Sequence, residues 1–339
     1  MSGNGGDRGR VATIFDVARV AGVSHQTVSR VLNDLPNVRP ATRERVVEAI
    51  AELRYVPSQA ARALVTRRSR TIGLVATGLP DFGPASTVRA VNESARDAGY
   101  AVITMSLAGA EVPSLRSAAE MLIRQAVEAI VLVVDERAAL RAFDGWELGV
   151  PLVAVASANR DRALRVAIDQ YRGARAAVSH LLDLGHRDIR HIAGPAGSMD
   201  AEERLRGWQE SLVEAEAPLT EPLRGDWSPD SGFRAGQRLL ADGVPGAVFV
   251  ASDQMAVGLL HALATAGLRV PEDVSVVGFD DIPEAAHLSS PLTTLRQDFV
   301  GLGQDAMAAV LAILQDDQSP RYPEPRLPQL ILRSSTRPV

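Results

Sequence analysis

The chain contains no cysteine and no lysine. The first absence excludes disulfides, thiolate metal sites and cysteine nucleophiles. The second means that all 36 basic residues are arginine, which fits a GC-rich genome and says little about mechanism. No run of 18 or more apolar residues occurs, so no membrane-spanning helix is expected. The Gly-rich, polar start MSGNGGDRGR lacks a secretory signal pattern, which makes the cytoplasm the expected location. No G-x-S-x-G, H-E-x-x-H or P-loop motif is present, and the six histidines show no metal-ligand spacing. Gly301-Leu-Gly303-Gln-Asp-Ala306 matches a loose dinucleotide fingerprint. It opens an apolar helix near the C-terminus, however, with no following βαβ unit and no acidic ribose ligand. No catalytic residue, metal or cofactor is therefore assigned.

What is present is enough for two or three domains: 339 residues, 46% of them hydrophobic. The net charge of -5 conceals an asymmetry. Residues 1–70 carry 12 Arg against 6 Asp and Glu, a net +6, and the remainder carries a net -11. A basic head on an acidic body is what phosphate contact by one end alone requires.

The basic head contains TIFDVARVAGVSHQTVSRVLN at 13–33, which reads as two short helices around a tight Ala21-Gly22-Val23 turn. Thr13 can cap the first helix with Asp16 three residues on, and Ser24 can cap the second. Gly22 supplies the residue that tolerates positive φ. Val17, Ala18, Ala21, Val23, Val28 and Leu32 form the apolar set, and His25, Gln26, Thr27, Ser29, Arg30 and Asn33 face outward. This is a helix-turn-helix pattern. Its second helix would lie in the major groove, where Gln can make two hydrogen bonds to adenine and Arg two to guanine. A solvated amphipathic helix pair would share the periodicity; a solvated charge fluctuation could make the basic head, but it would not be expected to coincide with the helix-turn-helix.

Pro40 suits the first position of a third helix, and Val46, Val47, Ile50 and Leu53 continue its apolar spacing. Pro57 ends it. The organisation is thus a disordered tail at 1–10, a three-helix domain at 11–57, a short Ala-rich helix and linker at 58–70, and a body at 71–339. In the body, short apolar runs alternate with amphipathic helices, and the pattern restarts after Tyr171. Two α/β halves built on parallel sheets follow, about 71–168 plus 299–322 and about 169–298 plus 323–336. A small ligand would bind between them, at the carboxyl ends of the strands.

The motifs FDVARVAGVSHQTVSRVLN, TRERVVEAIAELRYVPSQAARAL, HLLDLGHRDIRHIAGP, GDWS, ASDQMAVG, DVSVVGFDD and PLTTLRQDFVGLGQ together resemble the LacI/GalR family of transcription regulators, from Val11 to about Thr336. The resemblance implies a helix-turn-helix domain joined by a hinge helix to a periplasmic-binding-protein-like α/β core. It implies base reading by His25, Gln26 and Arg30, with Thr27, Ser29 and Asn33 at backbone-contacting or groove-facing positions; Thr13 and Ser24 belong to the same DNA-binding set. Ser58, Ala61 and Leu64 match the hinge helix, with Leu64 as a minor-groove wedge that kinks the duplex. Two hinge helices meeting at a dyad imply a pseudo-palindromic operator. The chain lacks the extra leucine-heptad helix that makes tetramers in the family, so a homodimer is expected.

In the core, the resemblance implies effector contacts by Asp200, Arg204, Trp227, Ser252, Asp280, Gln297 and Phe299. Arg and Asp can hold adjacent hydroxyls and an indole covers the apolar face of a pyranose, which fits a small sugar. Asp200, Ser252 and Ala156 depart from the pattern and leave the particular sugar open. Each firm candidate has a plainer reading: Trp227 as core, Asp280 as a helix cap, Arg204 paired with Glu202 or Glu203 at the surface. The expected function is a sugar-responsive repressor, most simply induced by its ligand. The alternatives are a corepressor or activator mechanism and, remotely, a sugar-transport protein or an enzyme on the same core.

Overall fold

A computed structural model describes residues 12–32, 35–55, 68–143, 146–156, 164–315 and 323–339. The chain divides into two compact units, Met1–Ser69 and Arg70–Val339.

The first unit holds α1 (Ile14–Ala21), α2 (His25–Leu32) and α3 (Pro40–Glu52). Thr13 and Asp16 form the expected reciprocal cap: the Thr13 hydroxyl accepts the Asp16 N–H at 3.4 Å, and the Thr13 N–H donates to the Asp16 carboxylate at 2.9 Å. Gly22 ends α1 at φ 63°, a conformation that a side chain would strain. Ser24 then caps α2 by accepting the Thr27 N–H at 3.2 Å. Val17, Ala18, Ala21, Val28, Val31, Val46, Ala49 and Tyr55 form the core, with Val23, Leu32, Ile50 and Leu53 at its edge. One expected core residue is misplaced. Val47 is 53% exposed, because a helix turns 100° per residue and cannot point both Val46 and Val47 inward. Val31, absent from the expected set, is buried. The segment containing Ser58, Ala61 and Leu64, as well as Asn33 and the 1–10 tail, lies outside the described residues.

The second unit contains two parallel sheets. In the first lobe, β1 (Thr71–Ala76), β2 (Ala101–Ser106), β3 (Ala129–Val133), β4 (Leu152–Val155) and β5 (Leu164–Val166) are ordered β2-β1-β3-β4-β5. Alternate strand residues face opposite sides, as period two requires. Ile72, Leu74, Val131 and Val133 pack with Val91 of α4 (Phe82–Asp97) and with Leu302, Met307 and Val310 of α11 (Phe299–Leu314). On the other side, Val75, Ile130 and Leu132 meet Leu115 and Leu122 of α5 (Val112–Arg124) and Ala139 of the short α6 (Arg137–Arg141), a helix too brief for periodicity to reveal.

The second lobe has β6 (Ile189–Ala193), β7 (Leu223–Arg224), β8 (Ala247–Val250) and β9 (Ser275–Val277) in the order β7-β6-β8-β9. Its sheet is covered on one face by α9 (Pro229–Ala241) and α10 (Asp253–Thr265), and on the other by α7 (Gln170–Asp183) and α8 (Met199–Glu214). β7 is only two residues long, since Leu223 and Arg224 alone pair with β6 on that edge. β10 (Thr294–Arg296) pairs antiparallel with β11 (Gln329–Ile331). The chain passes between lobes at 167–169 and again just after β10, which brings Gln170, Gln297 and Phe299 to the junction.

The dinucleotide-like glycines serve packing. A Cβ on Gly303 would come within 2.5 Å of the Ala90 backbone, so α11 lies on α4 only because that position is bare. No helix of the described residues is long and apolar enough to cross a membrane.

Candidate ligand cleft and DNA-facing helix

Strand carboxyl ends from both lobes face one cavity of about 230 Å³. Asp135 follows β3, Ser252 and Asp280 follow β8 and β9, and α8 enters from the end of β6 carrying Asp200 and Arg204 on successive turns. This is the crevice that parallel α/β topology places at strand ends.

Arg204 is the centre of the cleft and only 3% exposed. Its Nε donates to Gln170 Oε1 at 2.9 Å, and one terminal nitrogen donates to the Ala251 carbonyl. The guanidinium stands 3.7 Å from Asp280 and 3.8 Å from Asp200. Its plane covers the Phe279 ring at 3.9 Å and lies 5.5 Å from the Trp227 ring. Gln170 extends the network by donating to Asp200 at 3.2 Å and to Gln297 Oε1 at 2.9 Å. Gln297 in turn donates to Asp280 at 2.7 Å. The surface-pairing alternative for Arg204 fails: Glu202 pairs with Arg137 at 3.2 Å and Glu203 with Arg206 at 2.6 Å. The capping alternative for Asp280 fails as well, because its recorded side-chain partners are Gln297 and Arg204.

Burial pushes the Asp280 carboxyl up to about 7; Arg204 and the Gln297 hydrogen bond oppose this, while Asp200 and Asp81 add to it. Burial and the nearby Asp200 push Asp135 up to about 8, although the Ser198 hydroxyl and the Asp200 N–H both favour its ionised form. Taking carboxylates out of water costs more than one shared guanidinium returns.

Trp227 is half-buried with φ 74°, and its indole lies directly over Gly194 at the end of β6. A Cβ at 194 would fall 2.2 Å from the ring, so the bare backbone sets the indole's position. Trp227 thus lines the cleft as well as touching the core of its lobe. Phe299 lines the other wall, edge-on to Phe82 with ring centroids 5.8 Å apart. Ser252 is buried and its hydroxyl accepts the Met255 N–H at 3.2 Å. It lines the cleft, but its recorded bond is the cap of α10.

Sequence reasoning missed Asp81, Asp135, Gln170 and Gln254. Asp135 follows the apolar run AIVLVV, and residues just beyond a parallel strand are the ones a cleft recruits. Gln254 Oε1 accepts the Phe82 N–H at 3.1 Å, a tie between the lobes that no local pattern announces. His186 and His191 serve packing outside the cleft. His186 bridges Ser275 and the Arg337 carbonyl, while His191 is buried between Trp208 and Phe249, its pKa lowered by burial to about 3.

On the first unit, His25, Gln26 and Arg30 are exposed on α2, while Thr27 and Ser29 are partly covered. Thr13 is engaged in its cap and the Ser24 hydroxyl lies 3.0 Å from that of Thr27. Phe15 is 65% exposed with its ring 5.2 Å from that of His25, a neighbour the sequence reading left out.

Residues 13–58 match the bacterial regulatory proteins of the lacI family, and residues 178–336 match the periplasmic binding protein-like domain. The chain is 36% identical over 306 residues to the lactose operon repressor of Escherichia coli (strain K12), covering 89% of this chain and 85% of that protein. It is 38% identical over 328 residues to the transcriptional regulator CelR of Thermobifida fusca, covering 90% and 92%. The crystal structure of the Lac repressor dimer bound to operator and the anti-inducer ONPF matches with a TM-score of 0.89 at 34% identity, covering 97% of this chain and 100% of that one. A CelR–cellobiose complex matches with a TM-score of 0.69 at 32% identity, covering 96% and 99%. The chain belongs to the LacI family of bacterial regulatory proteins. Its relatives include the lactose operon repressor, the transcriptional repressor PurR and the transcriptional regulator CelR.

Proposed function

We propose that the protein is a cytoplasmic, homodimeric, sequence-specific transcriptional repressor whose grip on a pseudo-palindromic operator is released by a small carbohydrate in the cleft. The observation that carries the effector half is the placement of Arg204 between Asp200 and Asp280 beside the Trp227 ring. Charged groups of both signs can hold neighbouring hydroxyls while the indole covers the apolar face of the sugar ring. Gln297 and Phe299 close the junction side, and Ser252 lies on the wall behind. The relatives support this reading: the Lac repressor dimer is seen with operator, and CelR with cellobiose.

In the operator half, α2 enters the major groove with His25, Gln26 and Arg30 at base edges and Thr27, Ser29 and Asn33 at backbone-contacting or groove-facing positions. Thr13 and Ser24 fix the helix ends there. Ser58, Ala61 and Leu64 form the hinge that meets its dyad mate in the minor groove. A ligand that fits one arrangement of the lobes better than the other shifts the DNA-competent population by its differential affinity.

The test begins with selection of duplexes by the full-length protein from a random pool. Recovery of an inverted repeat whose binding is reversed by a sugar supports the reading. Binding that requires the sugar would make the ligand a corepressor, and a pool with no inverted repeat would contradict the dimeric operator.

A further inference from the structure

The cleft is unbalanced in charge. Arg204 is the one cationic side chain among its described lining residues, whereas Asp81, Asp135, Glu136, Asp200 and Asp280 all line it. Arg204 is moreover already committed. It donates to Gln170 and to the Ala251 carbonyl, faces two carboxylates, and lies flat on Phe279. Its charge is already balanced by the two carboxylates, so it offers no spare positive charge to an anion.

The acids converge from both lobes. Asp81 and Asp135 belong to the first, Asp200 and Asp280 to the second, and Asp135 and Asp200 meet where the Asp135 carboxylate accepts the Asp200 N–H at 3.0 Å. Asp81 opens α4, but its carboxylate makes no side-chain cap there, and no described side chain pairs with it. The carboxyls register this crowding: Asp81, Asp135 and Asp280 are all pushed up, by burial first and then by one another or by Asp226 and Asp200. Burial favours the protonated forms of Asp135 and Asp280, and a positive group inside the cleft would reverse this by pairing with the ionised carboxylates; the Trp227 ring also offers a face suited to a cation-bearing ring.

We propose that the effector is a sugar carrying a protonated amine, with its ring on Trp227 and its ammonium facing the Asp135 and Asp200 carboxylates. This rests on the sugar-binding reading of the cleft and adds the charge of the ligand to it. Anionic sugars, such as uronic acids or sugar phosphates, are disfavoured by the same imbalance.

Calorimetric titration of the full-length protein with matched sugars tests it. Glucose, galactose and cellobiose would each be compared with the amine-bearing counterpart, with the N-acetylated form that keeps the bulk but loses the charge, and with the uronic acid where one exists. The expected result is that at least one amine-bearing sugar binds about tenfold or more tighter than both its neutral parent and its N-acetylated form. That advantage should shrink in high salt and in the Asp200→Asn and Asp135→Asn proteins. A neutral or N-acetylated sugar that binds as tightly as the amine, or a uronic acid that binds best, overturns the proposal while leaving the sugar reading intact. Binding by none of the sugars overturns both.

Discussion

The carboxylate of Asp135, at the end of β3 in one lobe, accepts the backbone N–H of Asp200 in the other at 3.0 Å. The Asp135 carbonyl also accepts the Met199 N–H at 2.8 Å, and Arg137 pairs with Glu202 just beyond. The first lobe is therefore tied to the opening turn of α8, the helix that carries Asp200 and Arg204 into the cleft. A ligand that moves either side chain pulls on this tie, which gives effector occupancy a direct mechanical route to the lobe arrangement.

Burial of Asp135 and Asp280 makes stability depend on pH. The Asp135 pKa is raised to about 8 and that of Asp280 to about 7, so between roughly pH 4 and 8 the folded core holds protons that the unfolded chain has released. Stability from this source is present at low pH and is lost as pH rises through 7 and 8. Urea unfolding should show a less stable core at pH 8.5 than at pH 5.5. Asp135→Asn, which keeps an acceptor for the Asp200 N–H, should flatten that dependence and stabilise the core at pH 8.5 by roughly 1–3 kcal/mol. An unchanged slope would contradict the placement of Asp135 in the interlobe contact.

Gly194→Ala should displace the Trp227 indole, because the new Cβ would stand 2.2 Å from the ring. Effector affinity should fall about tenfold or more, with a changed tryptophan emission, while operator binding without sugar persists. Normal sugar affinity would remove Trp227 from the site.

Asp280→Asn removes the charge opposite Arg204 and weakens the acceptor that holds Gln297. The protein should still bind operator but fail to release it when sugar is added. A normal response would show that Asp280 plays no part in effector recognition.

Arg30→Ala should lower specific operator affinity about 10- to 100-fold, the range of one bidentate base contact, with sugar binding in the core unaffected. Non-specific DNA binding should fall far less. Equal losses on both kinds of DNA would argue against base reading by α2.

The helix ends of the first unit were legible because their causes are local: Thr13 with Asp16, Gly22 and Ser24 each act within a few residues. The strand and helix order of the core was legible from period. What could not be read was long-range. Gln170 and Gln297 are 127 residues apart and meet only because the chain crosses between lobes at both points. Arg204 and Asp280 came from resemblance, since nothing in their neighbouring residues announces a cleft. Asp135 carried a positional signal, the end of a buried parallel strand, that a reading focused on motifs passed over. Val47 shows the reverse error, an apolar residue counted inward where helix geometry turns it to solvent.

The central claim, that a sugar in the cleft controls the grip of α2 on DNA, is tested most directly by fluorescence anisotropy. Full-length protein would be titrated at fixed salt onto a labelled pseudo-palindromic duplex recovered by selection, with and without the sugar found to bind the core. The account predicts tight binding without sugar and a large loss of affinity with it. Operator affinity that is identical in the two titrations, at saturating sugar, would contradict it.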